Sequence, residues 1–228
     1  VKIVLFGDSL TEGSYGGSYA RHLARLMPEH TFINAGVGGD TVVHLLRRVE
    51  RDVLAHQPDA VFVMVGGNDA LSHTFPAVRS YFRGAKRLES GSVSPDVFAR
   101  ELRELYTQLQ LAHIVTWVGL EPNEYNPAAA EAHTAYNHIA ADAARAFGLP
   151  VLDLAATFPA PHPLPDRPPL DIAFILTIGS REARGWAEYE GARAAGGFTF
   201  SFDGLHLTPE AAEQAADAIA RFMRAHGA

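Results

Sequence analysis

Five short apolar runs, each followed by a polar loop and a longer helical stretch, set the limits on what this chain can fold into. The runs are KIVLF (2–6), TFINA (31–35), AVFVMVG (60–66), HIVTWVG (113–119) and PVLDL (150–154). AVFVMVG shows no apolar–polar alternation, as expected of a strand covered on both faces. Between the runs, residues 17–27 place Tyr19, Leu23 and Leu26 at helical spacing. From Thr41 to about His56, Val42, Leu45, Leu46, Val49 and Val53 recur at i, i+3, i+4 positions, which predicts a helix with one buried side. Ser94 then Pro95 starts a helix to about Leu111, with a hydroxyl N-cap and proline at the first helical position. Residues 128–147 predict an Ala-rich helix stopped at Gly148, and Thr208 then Pro209 opens a last helix to about Ala225. Strand and helix alternating five times predict an α/β chain, with a parallel sheet covered by helices on both faces.

Composition narrows the function classes. A length of 228 residues fits one α/β domain over 1–228. Hydrophobic residues at 47% and charged residues at 20% are ordinary for a globular protein. A net charge of -7 offers no nucleic-acid surface. Arg47, Arg48 and Arg51, interleaved with Glu50 and Asp52, are expected to form a solvated helix face. The absence of cysteine excludes disulfides, a thiol nucleophile and thiolate metal sites. No apolar run nears the ~20 residues needed to span a bilayer. No signal-peptide pattern is visible, so the cytoplasm is the expected compartment unless an N-terminal leader has been removed.

Two excursions, at about 70–94 and 155–202, break the alternation, and loops this long are uncommon without a function or structure of their own. The first carries Arg79, Tyr81, Phe82, Arg83, Lys86 and Arg87, and reads as a solvated loop or as a basic wall for an anionic leaving group. The second opens proline-rich and continues with LDIAFILTI (170–178). It reads as a surface subdomain or dimer contact, or as a lid turning Phe174, Ile175, Leu176 and Ile178 toward an acyl chain. Trp186, Tyr189 and Phe198 are expected to pack rather than to stack on a sugar.

Ligands of a parallel α/β sheet bind outside the carboxyl ends of its strands, and polar residues collect there. Gly7, Asp8 and Ser9 follow the first strand. NAGVGGDT, from Asn34 to Thr41, follows the second, and Gly66, Gly67, Asn68 and Asp69 follow the third. Asp203, Gly204, Leu205 and His206 precede the last helix. Acyl transfer requires a nucleophile, a base, a group that orients the base, and donors for the oxyanion. Ser9 can be the nucleophile. His206 can take its proton, since imidazole titrates near ~6.5, and Asp203 can hold the other ring nitrogen. The Ser9 N–H, the N–H of a glycine after the second strand and the Asn68 amide can face the oxyanion. Glycine suits this position because no side chain blocks the substrate.

Each residue also has a plainer reading. Gly7 and Ser9 suit a turn, His206 a packed surface, Asp203 a turn beside Gly204, and Asn68 a cap. Asp8 and Asp69 read as structural. His133 and His138 are five apart, not the i, i+4 of a helical zinc pair, so no metal is expected. GVGGDT has Thr41 where a dinucleotide fingerprint needs glycine or alanine. No G-x-x-x-x-G-K-[ST] phosphate loop is present either.

The ordered set FGDSLTEG, NAGVGGDT, GGND and DGLH resembles the SGNH hydrolases, also called GDSL esterases/lipases, and is most similar to their bacterial esterase/thioesterase-like branch. The likeness covers roughly residues 1–69, 95–154 and 203–225. It implies a flavodoxin-like three-layer α/β/α sandwich with strand order 2-1-3-4-5. It implies a serine hydrolase of carboxylic esters or thioesters that needs no cofactor. Ser9 matches the nucleophile, Gly39 and Asn68 the oxyanion residues, and Asp203 and His206 the rest of the triad. The implied partner is a small-molecule, glycan or lipid ester. Acyl transfer to an alcohol and carbohydrate O-deacetylation stay open on the same site, as does, from a different class, a non-enzymatic flavodoxin-like binding module. Two features depart from the family pattern: the length of 155–202, and Glu121 before Pro122 where an apolar or small residue is common.

Overall fold

The five apolar runs pair side by side in the computed structural model, which describes residues 1–158, 160 and 163–228. Pro159, Pro161 and His162, in the proline-rich start of the second excursion, lie outside the described residues. The elements run β1 (Lys2–Gly7), α1 (Ser9–Glu12), α2 (Tyr19–Leu26), β2 (Thr31–Gly36), α3 (Val42–Asp52), β3 (Ala60–Met64), α4 (Gly67–Thr74), α5 (Arg79–Gly84) and α6 (Pro95–Leu111). They continue β4 (Val115–Leu120), α7 (Pro127–Ala146), β5 (Val151–Asp153), α8 (Leu154–Thr157), α9 (Ile172–Glu182), α10 (Tyr189–Gly196) and α11 (Pro209–Ala225). The sheet is all parallel with order β2-β1-β3-β4-β5, the expected α/β class and strand order.

Side-chain alternation along the strands builds the two apolar layers. Ile3, Leu5, Phe62, Met64 and Trp117 face one side and pack with Leu23 of α2 and Ile219 of α11. Val4, Phe6, Val61, Val63, Val118 and Leu120 face the other and pack with Leu45 of α3, Leu105 of α6 and Ala140 of α7. Burial on both faces explains why the central runs carry no polar alternation. Gly7 lies level with Gly36 and Met64, so β1, β2 and β3 deliver the segments that follow them to one edge.

Local signals place most boundaries. Ser94 accepts from the Val97 N–H and Thr208 from the Ala211 N–H, and the helices that follow start at Pro95 and Pro209. β4 begins two residues later than the apolar run suggests, because His113 adopts φ 58 and turns the chain before it. The helical pattern from Thr41 to His56 ends as α3 at Asp52, and Leu54–His56 forms a separate 3-10 turn.

Three expectations are corrected. Arg48 is not on a solvated face: it is 8% exposed, and its guanidinium bonds Asp40 at 2.8 Å, Asp52 at 3.0 Å and the carbonyls of Gly7 and Ala35 at 2.9 and 2.7 Å. The 70–94 segment is not a solvated loop, because Phe75, Val78, Phe82, Leu88 and Val93 are buried in the core that α6 shares. Its Lys86 is turned inward, onto Asp40 at 2.6 Å and the Gly38 carbonyl at 2.8 Å. LDIAFILTI runs into the helix α9, N-capped by Asp171, and its residues divide: Ile178 is buried while Leu176 is 60% exposed. Trp186 packs, as expected, against Tyr189 and Phe202, with the Arg181 guanidinium over its ring at 3.8 Å.

Candidate active site

Ser9 opens a single helical turn at the end of β1. Asp8 caps that turn by accepting the Leu10 N–H at 3.1 Å, and Gly13 ends it at φ 66. The approach is so close that a Cβ on Gly7 would sit 2.3 Å from the Met64 carbonyl oxygen and 2.3 Å from Thr11 Oγ1. Only glycine fits where the strand bends into the turn. Asn34 Nδ2 donates to the Thr11 carbonyl at 2.9 Å and the Glu12 carbonyl at 3.2 Å, which ties the turn to β2.

The fold brings His206 to Ser9 across 197 residues of chain: His206 Nε2 lies 3.0 Å from Ser9 Oγ. His206 Nδ1 lies 2.7 Å from Asp203 Oδ2, while Asp203 Oδ1 accepts the N–H groups of Leu205 and His206 at 2.8 and 2.7 Å. With Nδ1–H donating to the carboxylate, Nε2 is left as acceptor for the serine hydroxyl. The imidazole is stacked on Phe202 at 6.0 Å and meets Tyr15 edge-on at 5.3 Å. Glu124, 0% exposed, anchors the loop beneath it. Its carboxylate accepts the Thr199, Phe200 and Ser201 N–H groups and the hydroxyls of Thr199 and Ser201.

Candidate oxyanion donors line the same edge. The Gly38 N–H donates to Glu12 Oε2 at 3.1 Å, whereas the N–H groups of Ser9 and Gly39 meet no acceptor among the described residues. Gly39 has φ 76, and a Cβ there would meet the Tyr81 hydroxyl at 2.6 Å. Asn68 Nδ2 donates one N–H to Asp8 Oδ2 at 2.7 Å. Asp69 is structural, as expected, and accepts the Val42 N–H at the start of α3. Asp8 caps its turn, also as expected, but it holds Asn68 as well.

Burial lowers the pKa of His206, but the charge and hydrogen bond of Asp203, with the charges of Asp8 and Glu182, outweigh it and hold the imidazole above its usual value. Burial pushes Asp8 up to about 6 and Glu121 well above the carboxylate range, each aided or opposed by its neighbours. Burial pulls His133 down to about 4. His133 is buried and His138 exposed, so the two do not converge.

A cleft of about 260 Å³ opens over Ser9, Gly39, Asn68 and His206. Leu170, Ile175 and Ile178 from the second excursion and Tyr81 and Phe82 from the first form apolar walls, while Glu121, Asn123 and His133 form a polar one. Sequence reasoning did not find Glu124, nor Arg48 with Lys86 beneath the glycine loop. Glu124 stands in the same EPNE segment as Glu121, and that run of charge after an apolar strand was the available signal.

The GDSL-like Lipase/Acylhydrolase family matches residues 5–214 of the chain. An acetylxylan esterase of Geobacillus stearothermophilus is 36% identical over 86 residues, which covers 30% of this chain and 39% of that protein's length. Among solved structures, an acetylxylan esterase from Geobacillus stearothermophilus aligns with TM-score 0.65 at 19% identity, over 97% of this chain and 93% of that one. The lipase/acylhydrolase from Enterococcus faecalis aligns with TM-score 0.64 at 21% identity, over 99% of this chain and 96% of that one. Among the described residues no helix is long and apolar enough to cross a membrane.

Proposed function

The chain belongs to the GDSL-like lipase/acylhydrolase family and is a carboxylic ester hydrolase, and on that premise we propose that it works through an acyl-enzyme on Ser9. The observation that carries this reading is the unbroken row Ser9 Oγ, His206 Nε2, His206 Nδ1, Asp203 Oδ2, with separations of 3.0 and 2.7 Å between side chains. Ser9 Oγ attacks the ester or thioester carbonyl as its proton passes to His206 Nε2. The imidazolium is stabilised by the Asp203 carboxylate. The new oxyanion is received by the N–H groups of Ser9 and Gly39 and by the second N–H of Asn68. The Gly38 N–H is already held by Glu12, which favours Gly39 over its neighbour. Collapse of the tetrahedral intermediate breaks the bond to the leaving group, which takes the proton from His206. Water, deprotonated by His206, then releases the acid and restores Ser9. No step draws on a cofactor, and residues 1–228 act as one domain.

The substrate reading divides along the cleft. The apolar wall of Leu170, Ile175 and Ile178 suits a short acyl chain. A second reading, O-deacetylation of a carbohydrate, is favoured by the partial match to an acetylxylan esterase. Hydrolysis of p-nitrophenyl acetate, butyrate and octanoate and of acetylated xylo-oligosaccharide by the wild type, Ser9→Ala and Asn68→Ala tests both. Ser9→Ala is expected to be inactive, and Asn68→Ala to lose roughly 10²–10³ in kcat. Full turnover by Ser9→Ala refutes the acyl-enzyme. Release of acetate from the oligosaccharide at a kcat/KM above that for p-nitrophenyl acetate selects the carbohydrate reading.

A further inference from the structure

Glu121 directly follows β4 and departs from the family pattern. Its carboxyl is 2% exposed and lies between two parts of the candidate oxyanion machinery. Oε2 accepts the Gly67 N–H at 2.6 Å, directly before Asn68. The same carboxyl lies close enough to the carboxyl of Asp8, itself 2% exposed, for each to act on the other's charge. Asp8 in turn accepts from Leu10 N at 3.1 Å and from Asn68 Nδ2 at 2.7 Å.

Two ionised carboxylates cannot share a buried contact, so the pair holds a proton. Both oxygens of Asp8 already accept N–H groups, and Glu121 Oε2 accepts another. Glu121 Oε1 is buried and meets no N–H or O–H donor. It is therefore the oxygen with room for the proton, and a protonated Glu121 has an O–H to give to the Asp8 carboxylate. The remaining groups around the pair are Asp69 of α4, His133 of α7, Tyr19 of α2 and His206. His133 is neutral above about 4, and Asp69 is an acid whose carboxyl burial pushes upward, so neither supplies a cation. His206, the one group near the pair able to turn cationic, is spent on Asp203 and Ser9.

We propose that Glu121 is a positioning residue for ester hydrolysis: protonated, it donates to Asp8 and accepts from Gly67, and so holds the Asn68 amide with one N–H on Asp8 and the other aimed at the oxyanion. The proposal rests on the reading of Asn68 as an oxyanion donor. It gives a chemical reason for an acid at this position. Glu121 acts through a neutral O–H, and the Asp8 carboxylate that receives it fixes which end of the Asn68 amide faces the cleft. When alkaline pH removes the shared proton, the two carboxylates repel and the Asn68 amide loses its fixed partner.

The test uses the full chain as wild type, Ser9→Ala, Glu121→Leu and Glu121→Gln, with kcat and KM for p-nitrophenyl acetate from pH 5 to 9. Glu121→Leu is expected to lower kcat about ten- to a hundred-fold with KM within about two-fold, the scale of a displaced catalytic donor. Glu121→Gln can accept from Gly67 through its oxygen and donate to Asp8 through its amide. It is expected to recover most of that loss and to move the alkaline limb of kcat upward, because its amide has no proton to lose. A purely structural role would change thermal stability in both variants and leave the alkaline limb where it is. An unchanged limb in Glu121→Gln, or wild-type kcat in Glu121→Leu, overturns the proposal. If Glu121→Leu does not fold, the limb in Glu121→Gln decides alone. If Ser9→Ala is dead while both Glu121 variants behave as wild type, only this proposal falls. If Ser9→Ala turns over fully, the acyl-enzyme reading falls and this proposal with it.

Discussion

Replacing Glu124 with alanine removes the acceptor that holds the loop carrying Asp203 and His206. The Phe200 and Ser201 N–H groups reach its Oε1 at 3.0 and 2.8 Å, and the Ser201 hydroxyl at 2.6 Å. Each buried donor left without an acceptor costs about 1–3 kcal/mol, so these three together cost about 3–9 kcal/mol. Water entering the space vacated by the carboxylate recovers part of this, which leaves an expected loss of about 3–5 kcal/mol. For a chain of this size 1 kcal/mol moves Tm by roughly 2–4 °C, so Tm is expected to fall by roughly 6–20 °C. Activity falls too. The Ser201 hydroxyl accepts the Gly204 N–H at 2.9 Å, and the Glu124 N–H donates to the Gly204 carbonyl at 3.1 Å, so loosening Ser201 loosens the turn that sets Asp203. A ten- to hundred-fold drop in kcat, with a smaller change in KM, is the expected scale for about 1 Å of misplacement. Thermal unfolding followed by circular dichroism gives Tm, and ester hydrolysis gives kcat. A variant with Tm within 2 °C of wild type would mean that Glu124 does not anchor this loop.

Four further outcomes follow from the geometry. His206 must be neutral to act as base and its folded pKa is raised, so kcat/KM should climb with pH through a limb lying above ~6.5. Asp203→Asn should move that limb to lower pH while cutting kcat by about 10⁴, as measured across a pH series. Arg48→Met leaves Asp40 with Lys86 alone and removes the donors to the Gly7 and Ala35 carbonyls, so it should destabilise by about 3–5 kcal/mol in denaturant titration. The raised pKa of Glu121 means the native state binds a proton that the unfolded chain releases above 4.5. Stability is therefore lost as pH rises from that value. The stability of Glu121→Gln relative to wild type should grow from pH 4.5 upward when urea midpoints are compared, and a difference independent of pH would contradict the shared proton.

Much of this architecture is written locally in the chain. The Ser94–Pro95 and Thr208–Pro209 pairs mark helix starts because a hydroxyl cap and a proline act on the first turn alone. The central strand runs are visible because burial on both faces leaves residues 3–6 and 60–64 wholly apolar, and the strand order came with the likeness of the four polar blocks to a known family. Those blocks also named the residues the fold draws together, since Ser9, Gly39, Asn68, Asp203 and His206 all surround one cleft or its wall.

The charged residues were the opposite case. Arg48 resembled its solvated neighbours Arg47 and Arg51, yet it alone turns inward to carbonyls on β1 and β2. Glu121 and Glu124 sit three residues apart in one loop and reach different partners, Gly67 and Asp8 for the first and residues 199–201 for the second. The 70–94 segment hid its core contacts because Phe75, Val78, Phe82 and Leu88 follow no single periodicity across turns and short helices. Backbone preference and apolar spacing are properties of neighbouring residues, and a single chain displays them before it folds. Whether a carboxylate or guanidinium is solvated, paired or protonated depends on which donors the fold brings to it from 40 to 80 residues away. That choice belongs to the tertiary structure, because the desolvation that forces it exists only once the sheet and its covering helices have closed.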